Sequence, residues 1–149
     1  MLQIGTKAPS FEGVDQNGET HNLSQYQDSW ILLYFYPRDS TPGCTEEACQ
    51  LRDNFSDFEE INAVVIGVSP DSVQSHSRFA TRHELPFTLI SDPDKKIIAD
   101  YGADGDVKRI SYLIDPDGKI AKTYPSVKPS QHAQEVLEDL TKLQVQYSV

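Results

Sequence analysis

Trp30-Ile31-Leu32-Leu33-Tyr34-Phe35-Tyr36 is an unbroken apolar run, rich in aromatic side chains and closed by Pro37. Successive side chains of a strand point to opposite faces, so a run without a polar member must be covered on both. A sheet with one wet face is thereby excluded, and helices are required above and below a central strand. Ala63-Val64-Val65-Ile66-Gly67-Val68 repeats the pattern and predicts a second buried strand.

Between these two runs, Ala48, Leu51, Phe55 and Phe58 recur at helical spacing and predict an amphipathic helix from Thr45 to Glu60. Ser69 to Asp71 can cap a further helix reaching Glu84, with Val73 and Phe79 facing inward. Phe87 to Ile90 reads as a short strand, and Asp94 to Tyr101 as a short helix stopped by Gly102. Near the N-terminus, Phe11 to Val14 and Thr20 to Leu23 flank Asn17-Gly18, a type I′ turn signal that predicts a hairpin. Ile110 to Ile114 and Lys119 to Tyr124 enclose Asp115-Pro116-Asp117-Gly118 and predict another. Gln131 to Leu143 closes the chain as a helix burying Val136, Leu137, Leu140 and Leu143. Strand-helix-strand units followed by a hairpin and a terminal helix predict an α/β, thioredoxin-like fold. Its central mixed β-sheet is flanked by helices and preceded by an N-terminal β-hairpin.

Length and charge narrow the partners. At 149 residues the chain is expected to form one domain, 1–149, with a core that needs no staples. The formal net charge of -10, without a basic stripe, disfavours nucleic acid. No run suits a membrane span, and the N-terminus lacks a secretory pattern, so a cytoplasmic protein is expected.

The chemistry-bearing stretch runs from Pro37 to Cys49 and joins the strongest strand to the strongest helix, at the sheet edge where α/β folds place their sites. Cys44 is expected in the first helical turn, where unpartnered backbone N–H groups and the helix dipole favour a thiolate. Pro42 suits a helix start because it gives up no needed donor. Thr41 has two compatible readings, as an N-cap or as a hydroxyl beside the sulfur. A buried small hydrophobe is the plainer reading of an isolated cysteine, but Thr41-Pro42-Gly43-Cys44 at a strand-to-helix joint argues against it.

Cys49 lies five positions further on. In an intact helix such residues have Cα atoms roughly 8 to 9 Å apart and point about 140° apart. A disulfide needs a Cα separation within about 7 Å, so a Cys44–Cys49 bridge requires the first helical turns to unwind. The pair suits a reaction in which a thiolate attacks an O–O bond and becomes a sulfenic acid, which a second thiol condenses with to give a disulfide. An external dithiol must then reduce that disulfide. A nearby cation would stabilise the departing oxygen, and Arg38 is the nearest arginine in sequence.

Pro37-x-x-x-Thr41-x-x-Cys44 resembles the peroxiredoxin active-site motif. Thr41-Pro42-Gly43-Cys44-Thr45-x-x-Ala48-Cys49 is similar to the bacterioferritin comigratory protein, or peroxiredoxin Q, subgroup. Tyr34-Phe35-Tyr36-Pro37, Phe87 to Asp92 and Arg109 to Asp115 extend the resemblance along the chain. It implies a thioredoxin-fold peroxidase for hydrogen peroxide and organic hydroperoxides, using no metal, haem or other cofactor. It also implies Cys44 as the peroxidatic thiol, Cys49 as the resolving thiol, and Pro37, Thr41 and Arg109 as supporting residues. Thioredoxin or a similar dithiol is the implied reductant, and a monomer the implied state. Only Ala103 to Lys108 separate Gly102 from Arg109, a shorter segment than many members carry.

Other readings compete. A thiol-disulfide oxidoreductase would carry Cys-x-x-Cys rather than four intervening residues. A metal site could combine Cys44 and Cys49 with a histidine brought by the fold. A scaffold without activity would not need Thr41, Cys44 and Arg109 together. His76 and His83 share a helical face and are expected to be solvated.

Overall fold

The computed structural model describes residues 1–104 and 109–147. A hairpin of β1 (Glu12–Val14) and β2 (Thr20–Asn22) leads through a 3₁₀ turn at Leu23–Tyr26 to β3 (Trp30–Phe35). Then come α1 (Pro42–Asp53), α2 (Phe55–Glu60), β4 (Ala63–Ser69), α3 (Val73–His83), β5 (Thr88–Ser91) and α4 (Lys96–Asp100). The antiparallel pair β6 (Ile110–Ile114) and β7 (Ile120–Tyr124) precedes the final helix α5 (His132–Tyr147). Seven strands form one mixed sheet in the order β2-β1-β5-β4-β3-β6-β7, with β3–β4 and β4–β5 parallel and β3–β6 antiparallel. This is the thioredoxin-like arrangement the patterning predicts, and no described helix is long and apolar enough to cross a membrane.

Every residue of β3 is buried, as its uninterrupted apolar run requires. Trp30, Leu32 and Tyr34 face a layer holding Cys44, Ala48 and Leu51 of α1, Phe58 of α2, Phe79 of α3, and Val136 and Leu140 of α5. Ile31, Leu33 and Phe35 face the opposite layer, with Ile97 and Ile98 of α4, Tyr101 and Tyr112. The strand thus separates two cores, and its carboxyl end delivers the loop at 36–41 to the edge of the first.

Several boundaries differ from the sequence reading, each for a local reason. The predicted helix over Thr45 to Glu60 begins earlier, at Pro42, and is interrupted at Asn54. The Asn54 side chain donates to the Gln50 carbonyl at 2.8 Å, while its backbone N–H also turns to Arg52. A side chain that satisfies the backbone in this way competes with helix continuation. The first hairpin is not type I′: Asp15 accepts from the Gly18 N–H at 3.1 Å, and Gly18 alone in the turn has positive φ. Asp15 Oδ1 also takes the N–H groups of Asn17 and Glu19, which selects this longer turn. Helix α3 is capped by Ser72, whose hydroxyl accepts from Ser75 N at 3.1 Å, rather than by the segment Ser69 to Asp71. Helix α4 is shorter than Asp94 to Tyr101, because Lys95 is left-handed and Asp92 receives the N–H groups of Lys96 and Ile98. Helix α5 runs four residues beyond Leu143, to Tyr147.

Histidine placement is also corrected. His76 is fully buried rather than solvated, and His83 is half-buried. Their shared face is the one α3 turns toward α1 and the sheet. Of the short segment preceding Arg109, residues 105–108 lie outside those described.

Candidate active site

Register brings the site together. Phe35 of β3 pairs with Ile110 of β6, so Arg109, just before β6, arrives beside the loop leaving β3. That loop ends at Thr41, the N-cap of α1, and Pro42 opens the helix. Cys44 therefore occupies the first turn, as expected, with only 2% of its surface exposed. Arg109 Nη2 donates to Cys44 Sγ at 3.3 Å, and Nη1 donates to Glu47 Oε1 at 3.0 Å. Gly43 permits the approach, since a Cβ there would lie 3.0 Å from Arg109 Nη2. Burial opposes the Arg109 charge, but the hydrogen bond and charge of Cys44, then of Glu47, more than offset it and raise its pKa.

Glu47 was not singled out by sequence reasoning, where it sits in a run of helical polar residues. In the structure it is 1% exposed, and its Oε2 has no partner among the described residues. Burial raises its pKa from the ordinary 4.5 to about 7, against the charge and hydrogen bond of Arg109. Tyr34 lies close by: burial first, then the Glu47, Cys44 and Asp39 charges, keep its phenol protonated well beyond the usual range. The Tyr34 ring lies over Gly67, where a Cβ would come within 2.7 Å of it.

A polar lattice holds the loop. Asp39 Oδ1 accepts from Tyr36 Oη at 2.7 Å, and Oδ2 accepts from Ser75 Oγ at 2.8 Å and His76 Nδ1 at 2.6 Å. His76 Nε2 meets the Ile90 carbonyl at 3.1 Å. Both ring nitrogens of His76 thus meet oxygen atoms, one on the Asp39 carboxylate and one on the β5 backbone. Burial works against ionised Asp39, but the His76 hydrogen bond and charge, with Tyr36 and Ser75, hold its pKa below the ordinary value. Asp39 N in turn donates to Asp71 Oδ2 at 2.8 Å.

The remaining expected residues are distributed around this centre. Thr41 Oγ1 donates to the Arg38 carbonyl at 3.1 Å, and it makes no capping bond to the helix. Pro37 is exposed at the exit of β3. Arg38 is also exposed and lines a depression of about 660 Å³ with Arg78 and Arg82, in which neither cysteine takes part. Cys49 is half-buried further along α1, with Sγ 3.9 Å from Nδ1 of His83. Both thiols are free and share one unbroken helix. Among the described residues, the two groups of three metal-capable side chains, Asp15–Glu19–His21 and Asp39–Asp71–His76, include neither cysteine.

The raised Glu47 pKa makes stability depend on pH. A carboxyl favoured neutral in the fold contributes stability that is complete below its unfolded value near 4.5 and lost as pH rises through about 7. The difference corresponds to about 3 kcal/mol. Glu47→Gln removes the titration, so wild-type urea midpoints should fall relative to the variant between acidic and mildly alkaline pH. Parallel curves would show that Glu47 is not the group concerned.

The model of the AhpC/TSA family matches residues 4–123. The chain is similar to peroxiredoxin Bcp of Bacillus subtilis (strain 168), 42% identical over 149 residues that cover 93% of this chain and 95% of the relative. A cysteine-to-serine mutant of Xylella fastidiosa PrxQ superposes with a TM-score of 0.93 at 31% identity, covering 97% of this chain and 98% of that one. Bacterioferritin comigratory protein of Xanthomonas campestris, described for its alkyl peroxide reduction activity, gives a TM-score of 0.87 at 29% identity, covering 89% and 90%. The chain belongs to the AhpC/TSA family, in its Bcp/peroxiredoxin Q branch of thiol-dependent peroxidases.

Proposed function

We propose that the chain reduces hydrogen peroxide and organic hydroperoxides through Cys44, with Cys49 resolving the product as an intramolecular disulfide. The observation that carries this reading is the Arg109 guanidinium held between Cys44 Sγ and Glu47 Oε1. A thiolate in the first turn of a helix is stabilised by free N–H groups and the dipole, and here by a fixed cation as well. The Cys44 thiolate attacks one peroxide oxygen, the O–O bond breaks, and its electron pair leaves with the distal oxygen. That oxygen takes a proton and departs as water or alcohol, and Cys44 becomes a sulfenic acid. Arg109 faces the charge that develops on the departing oxygen, and Glu47 holds the second guanidinium nitrogen so that the first keeps its aim. Thr41, one turn before the sulfur, supplies a hydroxyl that can rotate from the Arg38 carbonyl to the peroxide proton. Pro37 limits the conformations of the loop that carries them. Substrate scope includes alkyl peroxides by analogy with the Xanthomonas campestris relative.

Resolution follows the helix geometry. Cys44 and Cys49 cannot meet while α1 stands, so the turns between them open once the sulfenic acid has formed. Oxidation weakens the hold on those turns, because a neutral sulfenic acid attracts Arg109 less than a thiolate does. Of the residues between the two cysteines, only Ala48 buries an apolar side chain, whereas Leu51 anchors the helix beyond them. Opening therefore withdraws little apolar surface from the core. A thioredoxin-type dithiol then attacks the disulfide by exchange and restores both thiols. With both thiols in one helix, a single domain over residues 1–149 completes the cycle as a monomer, in the reducing cytoplasm.

Cys44→Ser should abolish peroxide reduction. Cys49→Ser should react once and then accumulate sulfenic or over-oxidised Cys44, as read by intact mass; sustained turnover with thioredoxin in that variant would remove Cys49 from the cycle. Arg109→Ala should slow the peroxide step on the order of a hundredfold, the size of loss expected for a removed oxyanion donor. Arg38→Ala is the matched control in stopped-flow kinetics. A larger loss in Arg38→Ala than in Arg109→Ala would move this role from Arg109 to Arg38.

A further inference from the structure

We infer that His83 is the base that deprotonates Cys49 before the helix opens. The inference rests on the resolving role proposed above for Cys49, and it adds a residue from a different helix to that step. Cys49 Sγ lies 3.9 Å from His83 Nδ1, within hydrogen-bonding reach for sulfur. The contact joins α1 to the last turn of α3, across 34 positions of sequence. Both residues are half-buried, so the contact is sheltered but open to proton exchange with solvent.

The surroundings hold the imidazole in place. Phe79 packs its ring edge-on against His83, with centroids 5.2 Å apart. Arg52, from the same helix as Cys49, donates from Nη1 to the His83 carbonyl at 2.8 Å. The charged groups around the pair are Arg52, which interacts with Cys49 and Glu84, and Asp53, which pairs with Arg52. Arg52 places positive charge near the sulfur, which favours the thiolate that proton transfer leaves behind. Along the chain His83 is 34 positions from Cys49 and reads as a solvated residue. The fold supplies the neighbour that the sequence does not.

The chemistry balances without any added reagent. The Cys49 S–H proton passes to His83 Nδ1, leaving a thiolate and an imidazolium. Helix opening carries the thiolate to Cys44, where its electron pair forms the S–S bond and the S–O bond of the sulfenic acid breaks. The oxygen leaves with that electron pair as hydroxide and takes a proton to become water. His83 returns its own proton to solvent and is neutral again. Cys49 is oxidised and the sulfenic acid reduced, with a disulfide and one water as products. An ordinary thiol is only a few per cent thiolate at pH 7, so full deprotonation is worth at most about thirtyfold in rate.

Two measurements test the assignment. In a Cys44→Ser background, where no peroxide chemistry occurs, alkylation of Cys49 by iodoacetamide is followed against pH with His83 present and with His83→Asn. Asparagine keeps a polar group near the thiol but has no basicity. The imidazole should give a fast limb at neutral pH that is about tenfold lower in His83→Asn and rises there only with ordinary thiol ionisation. In the protein with both cysteines, rapid-quench mass analysis after peroxide should show sulfenic acid persisting about tenfold longer in His83→Asn than in wild type. Equal alkylation profiles, or a uniformly slower disulfide step with an unchanged pH profile, would overturn the inference, the second outcome marking a packing role only. Loss of Cys49 from turnover, seen as sustained activity in Cys49→Ser, would instead remove the reading on which the inference rests.

Discussion

The Asp39 carboxylate is the interaction on which the site depends. It accepts from Tyr36, Ser75 and His76, and the backbone N–H of the same residue reaches Asp71. Those partners come from the end of β3, from α3 and from the loop that follows β4. A loop that would otherwise be free to move is thereby tied to the sheet and to the neighbouring helix. Ser40 is left-handed at φ 64°, a conformation that a non-glycine residue keeps only when its surroundings impose it. Asp39, held by Tyr36, Ser75 and His76, is the residue immediately before it. With the loop fixed, Thr41 stands at the N-cap, Cys44 falls in the first turn, and Arg109 meets it from β6.

The same arrangement gives α1 two unlike halves. From Leu51 onward the helix is anchored in the core, while its first turns are held chiefly by polar contacts to Arg109 and by Ala48. Glu47 belongs to the polar half, and its burial favours its neutral form. The first half can therefore respond to a change of charge at Cys44, whereas the second half and the sheet remain in place.

Much of this was legible in the sequence. The apolar run at Trp30 to Tyr36 dictated a two-sided central strand, and its boundary with Pro37 located the loop. The hairpin around Asp115 to Gly118 and the placement of Cys44 at a helix start followed from local turn and capping chemistry. Local signals failed where a single polar side chain redirected the backbone, as Asn54 does in splitting the predicted helix. They also failed wherever the decisive contact was distant in sequence. His76 looks like a surface residue until its carboxylate partner is found 37 positions earlier. Glu47 is indistinguishable from its neighbour Glu46 until Arg109 arrives from 62 positions away. Of the two glutamates, only Glu47 has the register that turns it inward beside Ala48.

The central claim is that peroxide converts the Cys44–Cys49 pair into a disulfide by opening the first half of α1. Hydrogen exchange read by mass spectrometry on reduced protein and on protein treated with stoichiometric hydrogen peroxide tests it directly. The account predicts loss of both thiols to a single intramolecular disulfide, with amide protection lost over residues 42–49 and retained in β3. Disulfide formation with α1 fully protected, or loss of one thiol only, would contradict it.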